Sequence, residues 1–172
     1  DPYRAEPYDA LGLYGNGDYA SSLDAAVYAW SHAQHIGSLA VELSTTLHDH
    51  SITDALDDVT SDLEPRTIVG IMGGHAVARG DTTYRAAAEL GASLTAAGRT
   101  VLTGGGPGAM EAANLGAYLN SRPDSLDEAL TIMKPTPSYR PSIDAWAQCA
   151  FRVRARWPIA NAGRSLSIPT WS

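Results

Sequence analysis

The residues best suited to chemistry in this chain form a glycine-rich stretch between Thr103 and Asn114. The stretch follows a short apolar run and opens a helical pattern, so it predicts a strand, a turn and the start of a helix. Its turn contains Gly104, Gly105, Gly106 and Gly108. Glycine allows positive φ and a close approach to a ligand, and the unpaired N–H groups of a first helical turn attract anions. The pattern therefore predicts a phosphate site, and a tight turn required for helix–sheet packing is the alternative.

The glycine stretch differs from the two best-known phosphate motifs. It is neither G-x-G-x-x-G nor G-x-x-x-x-G-K-[ST], and no lysine follows it. Neither the dinucleotide fingerprint nor the P-loop therefore applies. Any further assignment depends on the flanking residues, above all Glu111 and Asn114 in the predicted helix.

The elements predicted to position this turn are two strands and two helices. Residues 67–72 form an apolar strand, which we expect to be a buried parallel one, and Gly73 and Gly74 end it. A helix then runs from a cap at Asp81 or Thr82 to Ala97, with Gly98 as its stop. The second strand covers 99–103, and the next helix covers about 108–119. This order predicts half of a Rossmann-like, doubly wound α/β fold with both glycine turns at one edge of a parallel sheet.

The remaining segments surround this core. Residues 1–65 are predicted to form an N-terminal arm and helical extension, and residues 66–172 a Rossmann-like nucleotide-binding domain. In the extension, residues 1–20 are expected to form an irregular arm. One helix, or two helices broken near Gly37, should run from a cap at Ser21 or Ser22 to Leu43, and a short helix should begin at Ser51. In the domain, we expect a possible strand at Leu130–Met133, a helix over Ser142–Trp157 and a short strand over Ser165–Pro169. The first helix of the core is predicted to bury Ala86, Ala87, Leu90, Leu94 and Ala97.

The string from Thr103 to Ala117, preceded by the run from Ile68 to Gly74, resembles the LOG (Lonely Guy) family, also labelled lysine decarboxylase-like. The family string reads T-G-G-G-P-G-x-M-E-A-A-N-x-G-A, and the resemblance covers about residues 66–119. It implies a Rossmann-type homodimer without a redox cofactor. The implied reaction is hydrolysis of the N-glycosidic bond of a nucleoside 5′-monophosphate such as AMP, which gives a free base and ribose 5-phosphate.

The resemblance also implies which residues bind the nucleotide. The glycines of the second turn would wrap the ribose-phosphate end, and the first turn would approach it from the neighbouring strand. The implied set is Gly73, Gly74, His75, Gly104, Gly105, Gly106, Gly108, Glu111 and Asn114. Met110 is expected in the core rather than at the ligand.

Glycosidic cleavage passes through an oxocarbenium-like sugar, so it needs a carboxylate near that charge and a cation for the phosphate. The resemblance implies that the main carboxylate lies in a P-G-G-x-G-T-x-x-E string, which these 172 residues do not contain. We therefore expect this sequence to be the N-terminal part of the family domain, with Glu111 as the remaining catalytic candidate. The alternatives are a non-catalytic nucleotide- or phosphate-binding module, and an assembly domain that uses residues 1–65.

Composition and charge restrict the possible partners and location of the protein. The formal net charge of −7 argues against nucleic acid or a membrane surface as a general partner. The single cysteine, Cys149, is expected to be a buried thiol, and no run of apolar residues is long enough to span a membrane, so we expect a cytoplasmic protein. His48 and His50 are expected in a surface loop, Arg152, Arg154 and Arg156 on a solvated helix face, and no metal site is predicted.

Overall fold

The computed structural model describes residues 5–15, 17–33, 38–158 and 165–168. The contacts divide the chain into two compact units, Asp1–Pro65 and Arg66–Ser172. No helix among the described residues is long and apolar enough to cross a membrane.

The first unit consists of helices α1 (Ala10–Tyr14), α2 (Leu23–His32) and α3 (Leu39–Ser61). Ser22 caps α2 by accepting the N–H of Ala25, which confirms one of its two predicted caps. The segment from Ser22 to Leu43 thus contains two helices, and Gly37 lies outside the described residues. The prediction of an arm without regular structure was wrong at α1, where the Asp9 carboxylate supplies the N-terminal cap.

Helix α3 is longer than the sequence pattern indicated. The separate short helix expected from Ser51 is the second half of α3, and His48 and His50 lie inside this helix rather than in a loop. Residues 39–61 contain neither glycine nor proline, so nothing breaks the backbone there. The polar residues are accommodated locally: the Ser51 hydroxyl donates to the His48 carbonyl at 2.8 Å.

The second unit contains a parallel sheet of three described strands, β1 (Ile68–Ile71), β2 (Thr100–Thr103) and β3 (Ser165–Ser167), in the order β1-β2-β3. Thr103 of β2 pairs with Ile71 of β1 and with Ser167 of β3. The predicted α/β class with a Rossmann-like parallel sheet is confirmed, as are all three strand positions. The expectation of a buried first strand was wrong, because β1 is only partly buried and Gly70 is exposed.

Helices α4 (Thr82–Ala96) and α5 (Ala109–Tyr118) make the most extensive contact between elements of this unit. Gly98 ends α4 at φ +77°, as predicted. The predicted apolar face of α4 was wrong for Ala86, Leu90 and Ala97, which are exposed, whereas Ala87 and Leu94 are partly buried against the core. The fully buried residues of the helix are Tyr84, Ala88, Gly91 and Thr95. The reason is close packing, because α4 approaches α5 through Gly91 and Gly116, where backbone rather than large side chains fills the interface.

Helices α6 (Leu126–Met133) and α7 (Ile143–Arg156) complete the described part of the second unit. The expected short strand at Leu130–Met133 is the end of α6, while the predicted helix over Ser142–Trp157 is confirmed with Ser142 as its cap. The main core cluster is formed by α4, α5, α6 and α7 and contains Tyr84, Ala88, Ala112, Leu115, Leu119, Ala129, Leu130, Met133, Cys149, Val153 and Trp157. Cys149 is fully buried, as expected.

Candidate functional site

The two glycine turns meet at Gly74. Its carbonyl oxygen accepts two backbone hydrogen bonds, from the N–H of Val77 at 3.1 Å and from the N–H of Ala109 at 3.2 Å. The loop after β1 is therefore joined directly to the first residue of α5. Both turns lie at the carboxyl edge of the parallel sheet, where ligands of open α/β sheets bind.

Glycine is required where the two turns touch. Gly74 and Gly108 have φ of +74° and +75°, a region that other L-residues rarely adopt. A Cβ on Gly108 would lie 2.1 Å from the Gly74 carbonyl oxygen, and a Cβ on Gly74 would lie 2.6 Å from the Ala109 Cβ. The sequence pattern identified both glycines, and the structure shows that the backbone contact between the turns depends on them.

The start of α5 offers backbone donors. The N–H of Gly105 donates to the Thr103 hydroxyl at 3.1 Å, and the N–H of Ala109 is bound to Gly74. By contrast, the N–H groups of Gly106, Gly108, Met110 and Glu111 have no acceptor in the part of the chain that the structure describes. Unpaired donors at the positive end of a helix dipole suit an anion.

Three side chains lie around the second glycine turn. The exposed ring of His75 approaches within 3.1 Å of the position that a Cβ on Gly106 would take, so the structure brings His75 to the predicted site. Met72 is 73% exposed and lies against Gly104, with its Cε 3.2 Å from the corresponding Cβ position. Met110 is buried beneath the turn, which confirms its expected core position. Met72 was missed because it ends an apolar strand run.

Asn114 is bound within the protein. Its amide nitrogen donates to the Thr103 hydroxyl at 2.9 Å and to the Ser167 hydroxyl at 2.8 Å. Its amide oxygen accepts from the Ser165 hydroxyl at 2.8 Å. The side chain thus ties α5 to the ends of β2 and β3, below the glycine turn.

Glu111 is also bound within the protein. Its carboxylate forms a two-pronged ion pair with Arg79, in which Nε donates to Oε2 at 3.0 Å and Nη2 donates to Oε1. The phenol of Tyr84 donates to the same carboxylate at 3.0 Å. Burial and the neighbouring carboxylate raise the pKa of Tyr84 above its ordinary value.

Arg79 and Tyr84 were missed for different reasons. Arg79 lies in an irregular loop 32 positions before its partner, and no sequence spacing links such a pair. Tyr84 lies four residues before Ala88 and seven before Gly91, which is the spacing of one helix face. This spacing would have predicted a buried Tyr84 if Gly91 had been counted as part of the buried face.

The remaining candidate groups lie away from the glycine turn. Arg154 packs over the Tyr118 ring, and Arg156 pairs with Glu128. Within residues 5–15, 17–33, 38–158 and 165–168, no group of three His, Cys, Asp or Glu side chains is arranged to hold a metal ion.

Comparison with known proteins gives one match. Residues 66–121 match the SLOG cluster4 family, and this segment contains β1, α4, β2, the two glycine turns and α5. Neither the curated proteins nor the solved structures gave a significant match. Residues 66–121 are therefore similar to this family, and the wider SLOG group includes LOG-type Rossmann-like proteins.

Proposed function

We propose that the second unit binds a nucleoside 5′-monophosphate, with its phosphate at the second glycine turn and the start of α5. The observation that carries this proposal is the set of N–H groups without an acceptor among the described residues, those of Gly106, Gly108, Met110 and Glu111, next to the glycine contact between the turns. The SLOG match over the same residues supports a nucleotide as the class of ligand.

Two exposed side chains beside the second glycine turn, those of Met72 and His75, suit the base and the phosphate of a nucleotide. Met72 offers an exposed, polarisable thioether beside Gly104, which is a suitable contact for the face of a base. His75 lies beside Gly106, where its imidazole can donate to a phosphate oxygen. In this proposal the seven predicted residues that would contact the ligand are the six glycines and His75, whereas Glu111 and Asn114 would support the site from within the protein.

For the reaction, we propose hydrolysis of the N-glycosidic bond, giving a free base and ribose 5-phosphate in the LOG manner. The cleavage needs a carboxylate near the oxocarbenium-like sugar. Glu111 already accepts three hydrogen bonds from Arg79 and Tyr84, so a second carboxylate would have to supply this role. A non-catalytic nucleotide-binding module is the alternative that this pairing of Glu111 favours.

The two functions are separated by measuring binding and turnover on the same full-length protein. Calorimetric titration with AMP measures binding, and chromatographic detection of adenine after incubation with AMP measures hydrolysis. Binding with adenine release supports the hydrolase, and binding without release of a base from any of a panel of monophosphates supports the module. Absence of binding would exclude both.

A variant pair tests the location of the site. His75→Ala removes the exposed imidazole beside Gly106, and we expect a roughly threefold to tenfold weaker affinity for AMP, because loss of one hydrogen bond at an exposed position costs about 1 kcal/mol. His50→Ala is the matched control, because His50 is an exposed histidine of α3 in the other unit. Equal weakening by both substitutions would contradict the proposed location.

A further inference from the structure

Arg79 is a buried cation that joins four segments of the second unit. Its side chain is only 1% exposed. Besides the ion pair with Glu111, its guanidinium donates to the carbonyl oxygens of Trp146 at 2.9 Å and Thr136 at 3.4 Å, and it stacks 4.5 Å from the centroid of the Trp146 ring. Its backbone N–H donates to the Pro137 carbonyl at 3.1 Å. The residue thus connects the loop after β1 with α5, with the α6–α7 connection and with α7.

Glu111 is the point at which this network reaches the glycine turn. It lies in the first turn of α5, three residues after Gly108, and its carboxylate is shared between Arg79 and Tyr84 of α4. Because the Arg79 side chain follows Gly74 by five positions in the same loop, the ion pair spans the two segments whose backbones meet at Gly74 and Ala109. The side-chain link therefore reinforces the backbone hydrogen bond from the Ala109 N–H to the Gly74 carbonyl.

A stabilising role alone does not explain such a pair. Removing two charges from water is expensive, and well-packed apolar residues often serve stability as well as a buried ion pair does. What a two-pronged arginine–carboxylate pair provides is a defined geometry, because two parallel N–H···O bonds fix both the distance and the angle between the groups. The segment fixed in this way begins with the unpaired N–H groups of α5.

We propose that Arg79 is a positioning residue of the glycine-turn site, which acts through Glu111 to hold the first turn of α5 against the loop that follows β1. In this arrangement Glu111 supports the site and is not the carboxylate that acts on the ligand. The part of this inference that concerns AMP rests on the proposed function, whereas the part that concerns the backbone of the two turns does not.

The experiment measures amide hydrogen exchange in the full-length protein and in Arg79→Met, Glu111→Gln and the double variant. We expect exchange to accelerate on the order of tenfold or more in segments 73–79 and 104–111 of Arg79→Met, at the amides that are hydrogen-bonded there, while β2 and the centre of α4 stay protected. These amides are those of Val77, Arg79, Gly105 and Ala109. Glu111→Gln should act on the same segments, and the double variant should add little to either single change. Arg85→Met is the matched control, because Arg85 is an exposed arginine of α4 paired with Asp127 and Glu89.

AMP titrations of the same proteins supply the second readout. We expect Arg79→Met to bind AMP on the order of tenfold more weakly than the unchanged protein. Arg79→Lys, which keeps the positive charge but cannot form the two-pronged pair with Glu111, should lose less affinity. If Arg79→Met does not fold, Arg79→Lys and Glu111→Gln carry the exchange test. Unchanged exchange in both segments, or effects of Arg79 and Glu111 that simply add, would overturn the proposal. Accelerated exchange in a protein that never binds AMP would instead retain the positioning role and exclude the proposed function.

Discussion

Glu111 illustrates how the partners of a residue decide its role. A carboxylate in the first turn of a helix is favourable for the helix, but an unpaired one would repel a phosphate bound at the same helix end. Arg79 removes this conflict, because its guanidinium neutralises the carboxylate from within the protein. The result is a helix start whose backbone donors face no competing negative charge from Glu111.

Tyr84 gives a prediction for the pH dependence of stability. Its pKa is raised in the folded protein by burial and by Glu111, above the ordinary value of 10.0 that applies to the unfolded chain. The folded state therefore retains a proton that the unfolded state releases. The stability contributed by Tyr84 is fully present below pH 10.0 and is lost as the pH rises toward the folded pKa.

We expect the free energy of unfolding to decrease by up to about 1.4 kcal/mol per pH unit above this point, and Tyr84→Phe to reduce that slope. At neutral pH the same substitution should lower the free energy of unfolding by about 2 kcal/mol, because the Glu111 carboxylate loses one hydrogen-bond donor. Urea unfolding followed by circular dichroism at a series of alkaline pH values measures both effects. Equal slopes for Tyr84→Phe and the unchanged protein would contradict the assignment.

Residues of the candidate site were predictable where their role depends on neighbours in the sequence, as it does for the glycines of a turn. The second turn was visible as a glycine cluster, and the first turn and the core position of Met110 were expected from the family resemblance. The structure gives Gly73, Gly74, Gly105 and Gly108 positive φ and buries Met110. Arg79 and Tyr84 were not identified, since their role depends on a contact with Glu111 across 32 and 27 positions. Long-range polar pairs of this kind have no sequence period.

At the scale of elements, the strands and the helices beside them followed from sequence, and the exceptions have physical causes. α6 was taken for a strand at Leu130–Met133, because a four-residue apolar run fits both structures. Its acidic residues Asp127 and Glu128 in the first turn were the available helix signal. The face of α4 was misjudged because a glycine, Gly91, rather than a leucine lies at the interface.

The contact between α4 and α5 yields a prediction for Gly116. A Cβ at this position would lie 1.8 Å from the Ala88 carbonyl oxygen and 2.9 Å from the Ala92 nitrogen, both of them backbone atoms. Gly116→Ala would gain about 1 kcal/mol in helix propensity, but the helices would have to separate. We expect a net loss of at least about 2 kcal/mol in the free energy of unfolding, measured by urea denaturation.

Gly70→Ala provides the matched control for Gly116→Ala. Gly70 lies in β1, has no positive φ, and a Cβ there would meet nothing within 4 Å. We expect this substitution to be neutral or to stabilise by up to about 1 kcal/mol. A Gly116→Ala protein as stable as Gly70→Ala would show that α4 and α5 are less closely packed than described.

For the whole molecule, all predicted site residues lie in the second unit, between Gly73 and Asn114. The first unit has a different surface character, with a row of exposed leucines on α3 at a spacing of four: Leu39, Leu43 and Leu47 are 68%, 60% and 44% exposed. Such a row is typical of a surface that is covered by another protein. We therefore propose that the homodimer expected from the family resemblance forms through these leucines of α3.

We expect the protein to sediment as a dimer and the double change Leu43→Glu and Leu47→Glu to shift it toward monomer, because charges would enter an apolar contact. Sedimentation velocity over a concentration series measures this shift. Leu90→Glu is the control, since Leu90 is also an exposed leucine, at 49%, but belongs to α4 of the second unit. A monomer at all concentrations would exclude the dimer.

The three hydrogen bonds of Asn114 have a consequence for how the sheet assembles. Ser165 and Ser167 lie on the same face of β3, and both hydroxyls bind the Asn114 amide, while Leu166 between them points to the other face. If β3 paired with β2 in a register shifted by one residue, the Asn114 amide would face Leu166 and lose its hydrogen bonds to Ser165 and Ser167. The hydrogen bonds of Asn114 therefore favour the observed register of β3 over one shifted by a single residue, directly beneath the glycine turn.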